Sequence, residues 1–322
     1  MEFNISSFIS LIWRLTMNRI LVIGSLNMDL VITAPRKPEM GETITGSGFM
    51  TTPGGKGANQ AVAAARLGGN VSMIGCVGKD AHGSMLTDNL KKNCVDVSRI
   101  VQVENAPTGV AVITIVEGDN YIILDSGANA LITPQHIIEA EDIIKSSDIV
   151  VLQLEIPMET VLTAVKIAKK CGTKVLLNPA PARVLSDELL SMVDIITPNQ
   201  KECSHITGIN TDTSEGVSRG IEFLISKGVK QVVVTMGGDG VMYNSGSRII
   251  QKGVHKVKVV DTTAAGDSFS GALAVALSNG KSIDSAIDFA NIVGTITVTR
   301  KGAQSSLPTI DEVKNFNIDL YR

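Results

Sequence analysis

The chain has 322 residues, 44% hydrophobic and only 3% aromatic, with a formal charge of −3 at pH 7. That length accommodates one large α/β domain or two smaller ones around a sizeable core. The slight negative charge gives no electrostatic footing for nucleic acid or an anionic membrane surface, so neither is expected as a partner.

Residues 1–16 do not fit the pattern of the rest of the chain. Their apolar stretch at 5–15, with Trp13 and Arg14, is too short to span a bilayer. It also lacks the basic start and small-residue cleavage site of a secretory signal. These residues read either as an appended helix or as an upstream start, and the fold is expected to occupy 17–322. Residues 20–23 form a β-branched run ended by Gly24, consistent with a buried parallel strand. Asn27 and Asp29 follow at its carboxyl end, where open α/β sheets place ligands. Short strands are predicted at 30–32 and 43–45, broken by Pro35, Pro38 and Gly41. After Gly54-Gly55-Lys56-Gly57-Ala58-Asn59 come an Ala-rich helix at 60–67, a strand at 71–76 and a helix at 83–93.

Residues 110–116 and 121–124 flank Glu117-Gly118-Asp119-Asn120, a hairpin signal. With the broken strands before residue 50 they read either as a small sheet covering the ligand end or as ordinary edge strands. Further strands are predicted at 149–154, 174–178, 195–197, 231–235 and 240–243. Helices are predicted at 159–171, 201–207 and 215–227, and a strand ending at 257–260 leads into a helix at 268–277. Repeated βα units predict a mostly parallel sheet covered on both faces. No linker, charge block or fixed-period repeat interrupts it, so one domain is expected.

Between the last strand and helix stands Asp261-Thr262-Thr263-Ala264-Ala265-Gly266-Asp267. Three small residues, Ala264, Ala265 and Gly266, at a helix start present backbone N–H groups and a positive dipole end to an anion. Asp267 beside such a turn reads either as a general base facing a transferred phosphate or as a cap of its own helix. Other polar residues sit at strand ends: Asn27, Asp29, Glu155, Asn178, Asn199 and Thr235. Singly each is a turn former, and together they line a pocket suited to hydroxyl groups. Neither the region of Lys56 nor Gly280-Lys281-Ser282 makes a Walker A motif, and GxGxxG is absent. A phosphate donor is therefore expected at Ala264–Gly266, with 237–240 beside it. Asn199-Gln200-Lys201-Glu202 reads as a capping box or as an organiser of phosphate-bound magnesium. The four cysteines and four histidines are scattered, with no CxxC or HExxH spacing, and the cysteines are expected to be buried free thiols in a reducing cytoplasm.

From about Met17 to Pro308 the chain resembles the ribokinase (PfkB) family of carbohydrate kinases. The resemblance rests on Gly54-Gly55-Lys56-Gly57-Ala58-Asn59 and Asp261-Thr262-Thr263-Ala264-Ala265-Gly266-Asp267. Asn178-Pro179-Ala180-Pro181-Ala182-Arg183, Ile196-Thr197-Pro198-Asn199 and Thr299-Arg300-Lys301-Gly302-Ala303-Gln304 add to it. It implies a three-layer α/β/α domain with a mostly parallel central sheet and a small β-sheet lid, built from about 27–52 and 108–126. It implies ATP-dependent phosphorylation of ribose at the 5-hydroxyl. Ribose would meet Asn27, Met28, Asp29, Gly55, Lys56, Gly57, Ala58, Asn59 and Glu155. Asp267 would be the base, and Ala264, Ala265 and Gly266 the anion hole. ATP would lie along Asn199, Thr235, Met236, Gly237, Gly238, Asp239, Gly240, Gly266 and Asn291, with Mg2+ ordered near Glu202. The family's monovalent cation, K+, would match Asp261, Thr263, Thr297, Arg300, Gly302 and Ser306. The lid would also form a homodimer. Two departures from the family pattern are Met28, between the sugar-binding residues, and Asn291, where a His is frequent. The rival readings are the same chemistry on deoxyribose, another sugar or a nucleoside, and a silent sugar-binding regulator.

Overall fold

The computed structural model describes residues 18–117 and 119–317. At its centre lies β1 (Arg19–Ile23), buried from Ile20 onward. Ile20 and Val22 enter one hydrophobic core while Leu21 and Ile23 enter another. A strand covered on both faces needs apolar residues at every position, which is what its sequence supplies. In chain order the other strands are β2 (Asn27–Thr33), β3 (Ser47–Gly54), β4 (Asn70–Gly78), β5 (Asp96–Val103), β6 (Gly109–Val116) and β7 (Asp119–Asp125). They continue with β8 (Ile149–Leu152), β9 (Lys174–Leu177), β10 (Ile195–Ile196), β11 (Gln231–Thr235), β12 (Val241–Ser245) and β13 (Arg248–Lys252). Nine of them form one sheet in the order β13-β12-β11-β10-β9-β8-β1-β4-β5. Pairing is parallel from β11 to β5, and only the β11–β12–β13 edge is antiparallel.

Helices cover both faces, giving the three layers expected. On one face the Ala-rich helix Lys56–Arg66 packs against helix Ala265–Ser278, which also lies on helix Ile283–Val298. The first two approach closely because Gly271 has no side chain: a Cβ there would stand 2.9 Å from both the Ala63 Cβ and the Gln60 carbonyl oxygen. At the far end of the first helix Arg66 donates to the carbonyls of Gln304 and Leu307, each at 2.8 Å. That anchors the segment after Ile283–Val298. Helices Met158–Cys171 and Ser214–Ser226 bury their apolar stripes on the opposite face.

A second, four-stranded sheet has the order β3-β2-β6-β7. Its β6–β7 pair runs antiparallel, with Val116 opposite Asp119, so the hairpin expected around 117–120 forms, Gly118 lying outside the described residues. Phe49, Ile122 and Ile123 stand exposed on this sheet.

The structure corrects several expectations. Residues 43–45 form no strand; β3 starts at Ser47 and runs to Gly54, where pairing with β2 satisfies its backbone. Residues 257–260 are not a strand end, because 253–259 cross the mouth of a cavity without regular structure. Strands β5 and β13 have no counterpart among the predicted elements, because 96–103 and 248–252 mix polar and apolar residues without clear alternation. The cysteines are all free, but only Cys76 and Cys203 are buried, with Cys94 exposed and Cys171 partly so. Among the described residues no helix is long and apolar enough to cross a membrane. The expectations for residues 1–16 lie outside the described residues.

The Gly271 contact yields a stability prediction. Gly271→Val overpacks the interface of two buried helices, costing about 1–3 kcal/mol, and should lower the melting temperature by about 2–5 °C. A wild-type melting curve for this variant would reject the contact as a stability determinant.

Candidate active site

After β1 the chain turns towards β4, whereas after β8 it turns towards β9, on the other side of β1. The carboxyl ends of these two neighbours therefore flank a crevice, the usual ligand position in such sheets. Gly24, Ser25 and Leu26 leave β1 here, and Gln153 and Glu155 leave β8. Helix Lys56–Arg66 starts directly against them. A Cβ on Gly57 would come within 2.6 Å of the Ser25 amide nitrogen, and Gly55 adopts φ 88°, so glycine is required at both positions. Gly54 likewise gives way to Asp29, whose carboxylate would meet its Cβ at 2.2 Å.

Glu155 organises this crevice. Its Oε2 accepts from the Ser25 hydroxyl, from the Lys56 N–H at 3.2 Å and, at a long 3.5 Å, from Asn27 Nδ2. Asn129, reaching over from the turn after β7, donates to Asn27 Oδ1 at 2.8 Å and accepts from the Leu26 N–H at 2.9 Å. Asn27 is thereby oriented before any ligand arrives. Asp29 differs: its side chain is buried and accepts no hydrogen bond among the described residues. Burial, then the charges of Glu155 and Asp267, push its pKa from 3.8 up to about 7, against the opposing pull of Lys56.

Asp267 enters from the other side. Helix Ala265–Ser278 is capped by Ala264 in the left-handed conformation, φ 59°, with no side-chain cap. Asp267 is thus the third residue of the first turn and does not cap the helix. Its oxygens instead accept across the core, Oδ2 from Asn59 Nδ2 at 2.9 Å and Oδ1 from Gln60 Nε2 at 3.0 Å. In the turn before it, the Ala265 N–H donates to the Thr262 carbonyl at 3.2 Å. Gly266 borders open space.

Two cavities meet at this turn. One, of about 190 Å³, is lined by Lys56, Asn178, Asn199, Glu202 and Asp267. The other, of about 530 Å³, is mostly apolar and lies among Gly237, Gly238, Gly240, His255, Phe269 and Asn291. Thr235, Thr262, Ala265 and Gly266 line both, whereas Asp267 lines only the smaller. Lys56 faces four carboxylates. Burial works most strongly against its charge, but Asp267, Glu155, Glu202 and Asp29 together raise its pKa. Glu202 forms the capping box with Asn199 (2.9 and 2.8 Å), and burial raises its pKa. The capping box and the cleft position coexist, so the two sequence readings of this pair are not alternatives.

Asp261 lies at the start of the stretch. Burial acts to raise its pKa, but hydrogen bonds from Thr263 and from the Gly302 N–H outweigh it and hold the pKa low. Val260 and Asp261 also donate to the Val298 carbonyl, so the 261–263 and 297–302 segments are joined. Among the described residues no group of three His, Cys, Asp or Glu side chains could hold a metal. A divalent ion here would therefore depend on phosphate oxygens and water, with few carboxylates.

Most of the anticipated residues thus converge, with exceptions. Met28 is fully buried in the hydrophobic core, because alternation along β2 turns it away from Asn27 and Asp29. Met236 is likewise a core residue, and Asp239 is exposed and does not line the nucleotide-sized cavity. Both shape the 235–240 turn through backbone bonds, Met236 N–H to the Gly240 carbonyl at 2.8 Å and Asp239 N–H to the Met236 carbonyl at 3.1 Å. Three residues escape sequence reasoning: Gln60, Gln153 and Asn129. Gln153 leaves a trace, being a polar residue inside the apolar run 149–154; Gln60 and Asn129 carry no local signal.

A carboxylate on the acceptor side of an open helix start, with a nucleotide-sized cavity beyond, is the layout of a phosphotransferase with an alcohol acceptor. The chain belongs to the pfkB family of carbohydrate kinases, whose family model matches residues 17–310. It is 43% identical to the ribokinase of Haemophilus influenzae, covering 92% of this chain and 97% of that one. It is 42% identical to the Bacillus subtilis ribokinase, covering 92% and 99%. The structure of Arabidopsis thaliana ribokinase complexed with ribose and ATP superposes with a TM-score of 0.87 at 35% identity, covering 93% of this chain and 98% of that one.

Asp29 provides a test of the site's electrostatics. A carboxyl whose folded pKa is raised contributes stability fully present below about pH 3.8 and lost as pH rises through about 7. Asp29→Asn removes that penalty. It should raise the melting temperature at pH 8 by about 2–6 °C, with the difference vanishing near pH 4. A variant with no gain at pH 8 would show that Asp29 is not strained in the free protein.

Proposed function

We infer that the chain is an ATP-dependent sugar kinase that phosphorylates ribose at its 5-hydroxyl, yielding ribose 5-phosphate and ADP. The observation that carries this is the position of Asp267 on the smaller, polar cavity, next in sequence to the turn residues shared with the larger one, both its oxygens already held by amides. The identities of 43% and 42% to ribokinases over nearly the whole chain support ribose as acceptor.

The sugar hydroxyls are taken by Asn27, Asp29, Glu155 and the 55–59 segment, groups that accept and donate in the directions a polyol needs. Asp267 accepts the 5-hydroxyl proton as that oxygen attacks the terminal phosphorus. The bond from phosphorus to the ADP oxygen breaks, and ADP leaves. Backbone N–H groups of 264–266, that of Ala265 exchanging its bond to the Thr262 carbonyl, and the helix dipole stabilise charge on the moving phosphoryl group. The Lys56 ammonium, held in its charged form by its neighbours, adds to this field. Thr235, the glycines at 237, 238 and 240, and Asn291 form the nucleotide walls, with Asn199 at the junction. Catalysis by such a site is positioning and electrostatics.

Two ions complete the proposal. Mg2+, organised through water near Glu202, would neutralise the phosphates, and K+, held at Asp261, Thr263, Thr297, Arg300, Gly302 and Ser306, several of them through backbone carbonyls, would stiffen the 261–267 turn. The small sheet, segments 27–52 and 108–126 of one domain spanning 17–322, is the lid. Its exposed Phe49, Ile122 and Ile123 suit burial in a homodimer. The free thiols accord with a cytoplasmic location.

Two measurements bear on this function. Asp267→Asn should lower kcat by about 10²–10⁴-fold while ribose binding persists; unchanged turnover would remove Asp267 as base. In a panel of ribose, deoxyribose, fructose and adenosine, ribose should be favoured over deoxyribose by about 10²-fold or more in kcat/KM. Equal use of deoxyribose would defeat the ribose assignment.

A further inference from the structure

Behind Asp267 lies a chain of amides buried almost completely. Gln60 and Gln153 are 0% exposed, and Asn178 is 5% exposed. Polar side chains in such a place cost free energy unless each is hydrogen-bonded. The Gln60 Nε2 uses both its hydrogens, one to Asp267 Oδ1 and one to Asn178 Oδ1, each at 3.0 Å. Asn178 in turn donates to the Thr197 carbonyl at 3.0 Å, so its own oxygen stays aimed at Gln60. Shape alone does not decide which way the Gln60 amide faces, since its oxygen and nitrogen are nearly the same size. The acceptors Asp267 Oδ1 and Asn178 Oδ1 call for its nitrogen on one side, and Gln153 locks the other by donating from Nε2 to Gln60 Oε1 at 2.6 Å.

The far end of the chain is left unsatisfied. Gln153 Oε1 is buried with no partner. It occupies space that only glycine leaves open, because a Cβ on Gly24 would stand 2.0 Å from it. Turning Gln153 over would set its oxygen against that of Gln60. The fold thus tolerates an orphan acceptor several bonds from the chemistry while keeping a donor against the carboxylate.

We propose that Gln153 and Gln60 form an orienting relay for the general base: Gln153 fixes the Gln60 amide, and Gln60 fixes the plane of the Asp267 carboxylate. Both are positioning residues that need not touch substrate. Without Gln153 the Gln60 oxygen loses its donor and the amide is held from its nitrogen side only, so it can tilt and carry the Asp267 carboxylate with it. The proposal rests on Asp267 being the base, and the geometry of a proton transfer is sensitive to displacements of about 1 Å.

The experiment is a double-mutant cycle of Gln60→Met and Gln153→Met on the full chain, with steady-state kinetics, ribose binding by calorimetry and melting curves for every variant. Each single variant should lower kcat by about 10- to 100-fold, with the ribose dissociation constant within about twofold of wild type, and the double variant should be no slower than the slower single one. Gln60→Glu, of nearly the same shape, gives an independent readout. The side chain at position 60 faces Asp267 from helix Ala265–Ser278, the neutral Asn178 and Gln153 from the sheet, and Lys56 one turn back on its own helix. A protonated carboxyl in the Gln60→Glu variant can donate as the native amide does, so its kcat should recover towards wild type as pH falls, which a merely structural role would not produce. Losses that multiply in the cycle, a Gln153→Met enzyme with full kcat, or a Gln60→Glu enzyme with the wild-type pH profile would each overturn the relay. Failure of the base assignment is separately visible, because Asp267→Asn would then retain turnover whatever the glutamine variants do.

Discussion

The structure depends on one close approach: the first turn of helix Lys56–Arg66 wedged between the end of β1 and the first turn of helix Ala265–Ser278. Residues more than two hundred positions apart in the chain meet there, as Asn59 and Gln60 do with Asp267. Gly57 and Gly271 make the approach possible on its two sides, since a Cβ on either would strike backbone within 3 Å. Fold and site therefore share a cause. Apolar packing of two Ala- and Gly-rich helices brings the amide donors of one onto the carboxylate of the other.

That approach crowds negative charge. Asp29, Glu155, Glu202 and Asp267 surround a single ammonium, Lys56. Asp29 and Glu202 respond with raised pKa values, chiefly through burial, and in both cases the Asp267 charge adds to the effect. An anionic nucleotide arriving beside this cluster needs compensating positive charge. The helix dipole and the turn's N–H groups supply part of it, and bound cations are the natural source of the rest. Asp261, held ionised by Thr263 and Gly302, sits apart from the cluster at the other end of the turn. The stretch 261–267 thus carries two carboxylates with different surroundings, one tied into its own loops and one turned across the core.

Much of this is legible in the sequence, and the boundary of legibility is physical. Strands buried on both faces, such as β1, declare themselves as unbroken apolar runs. Edge strands such as β13 alternate weakly and do not. The motif glycines are legible because a turn or a close approach requires them. Met28 shows the opposite case: adjacency to Asn27 and Asp29 suggests a shared role, but a strand's period of two sends it into the core. Asp267 has a local reading as a cap, and its three-dimensional neighbours, Asn59 and Gln60, override it. Gln60 and Asn129 are invisible because their partners lie 207 and 102 positions away in sequence.

What the fold leaves unpaired follows the same logic. A buried polar atom without a partner is rare, since each costs about 1–3 kcal/mol. Asn59 Oδ1 and Thr295 Oγ1 are two of four such atoms among the described residues. Asn59 adjoins Asp267, and Thr295 lines the larger cavity. Together with the unpaired Asp29 carboxyl, they put unmet hydrogen-bonding capacity on both sides of the 262–266 turn, where a sugar and a nucleotide can meet it. Gln153 Oε1 is a third such atom and sits at the closed end of the amide chain. Elsewhere Arg66 and Asp194 find their partners within the protein. Unmet polar groups thus stand beside both cavities, and there binding energy can come from bonds that folding withheld.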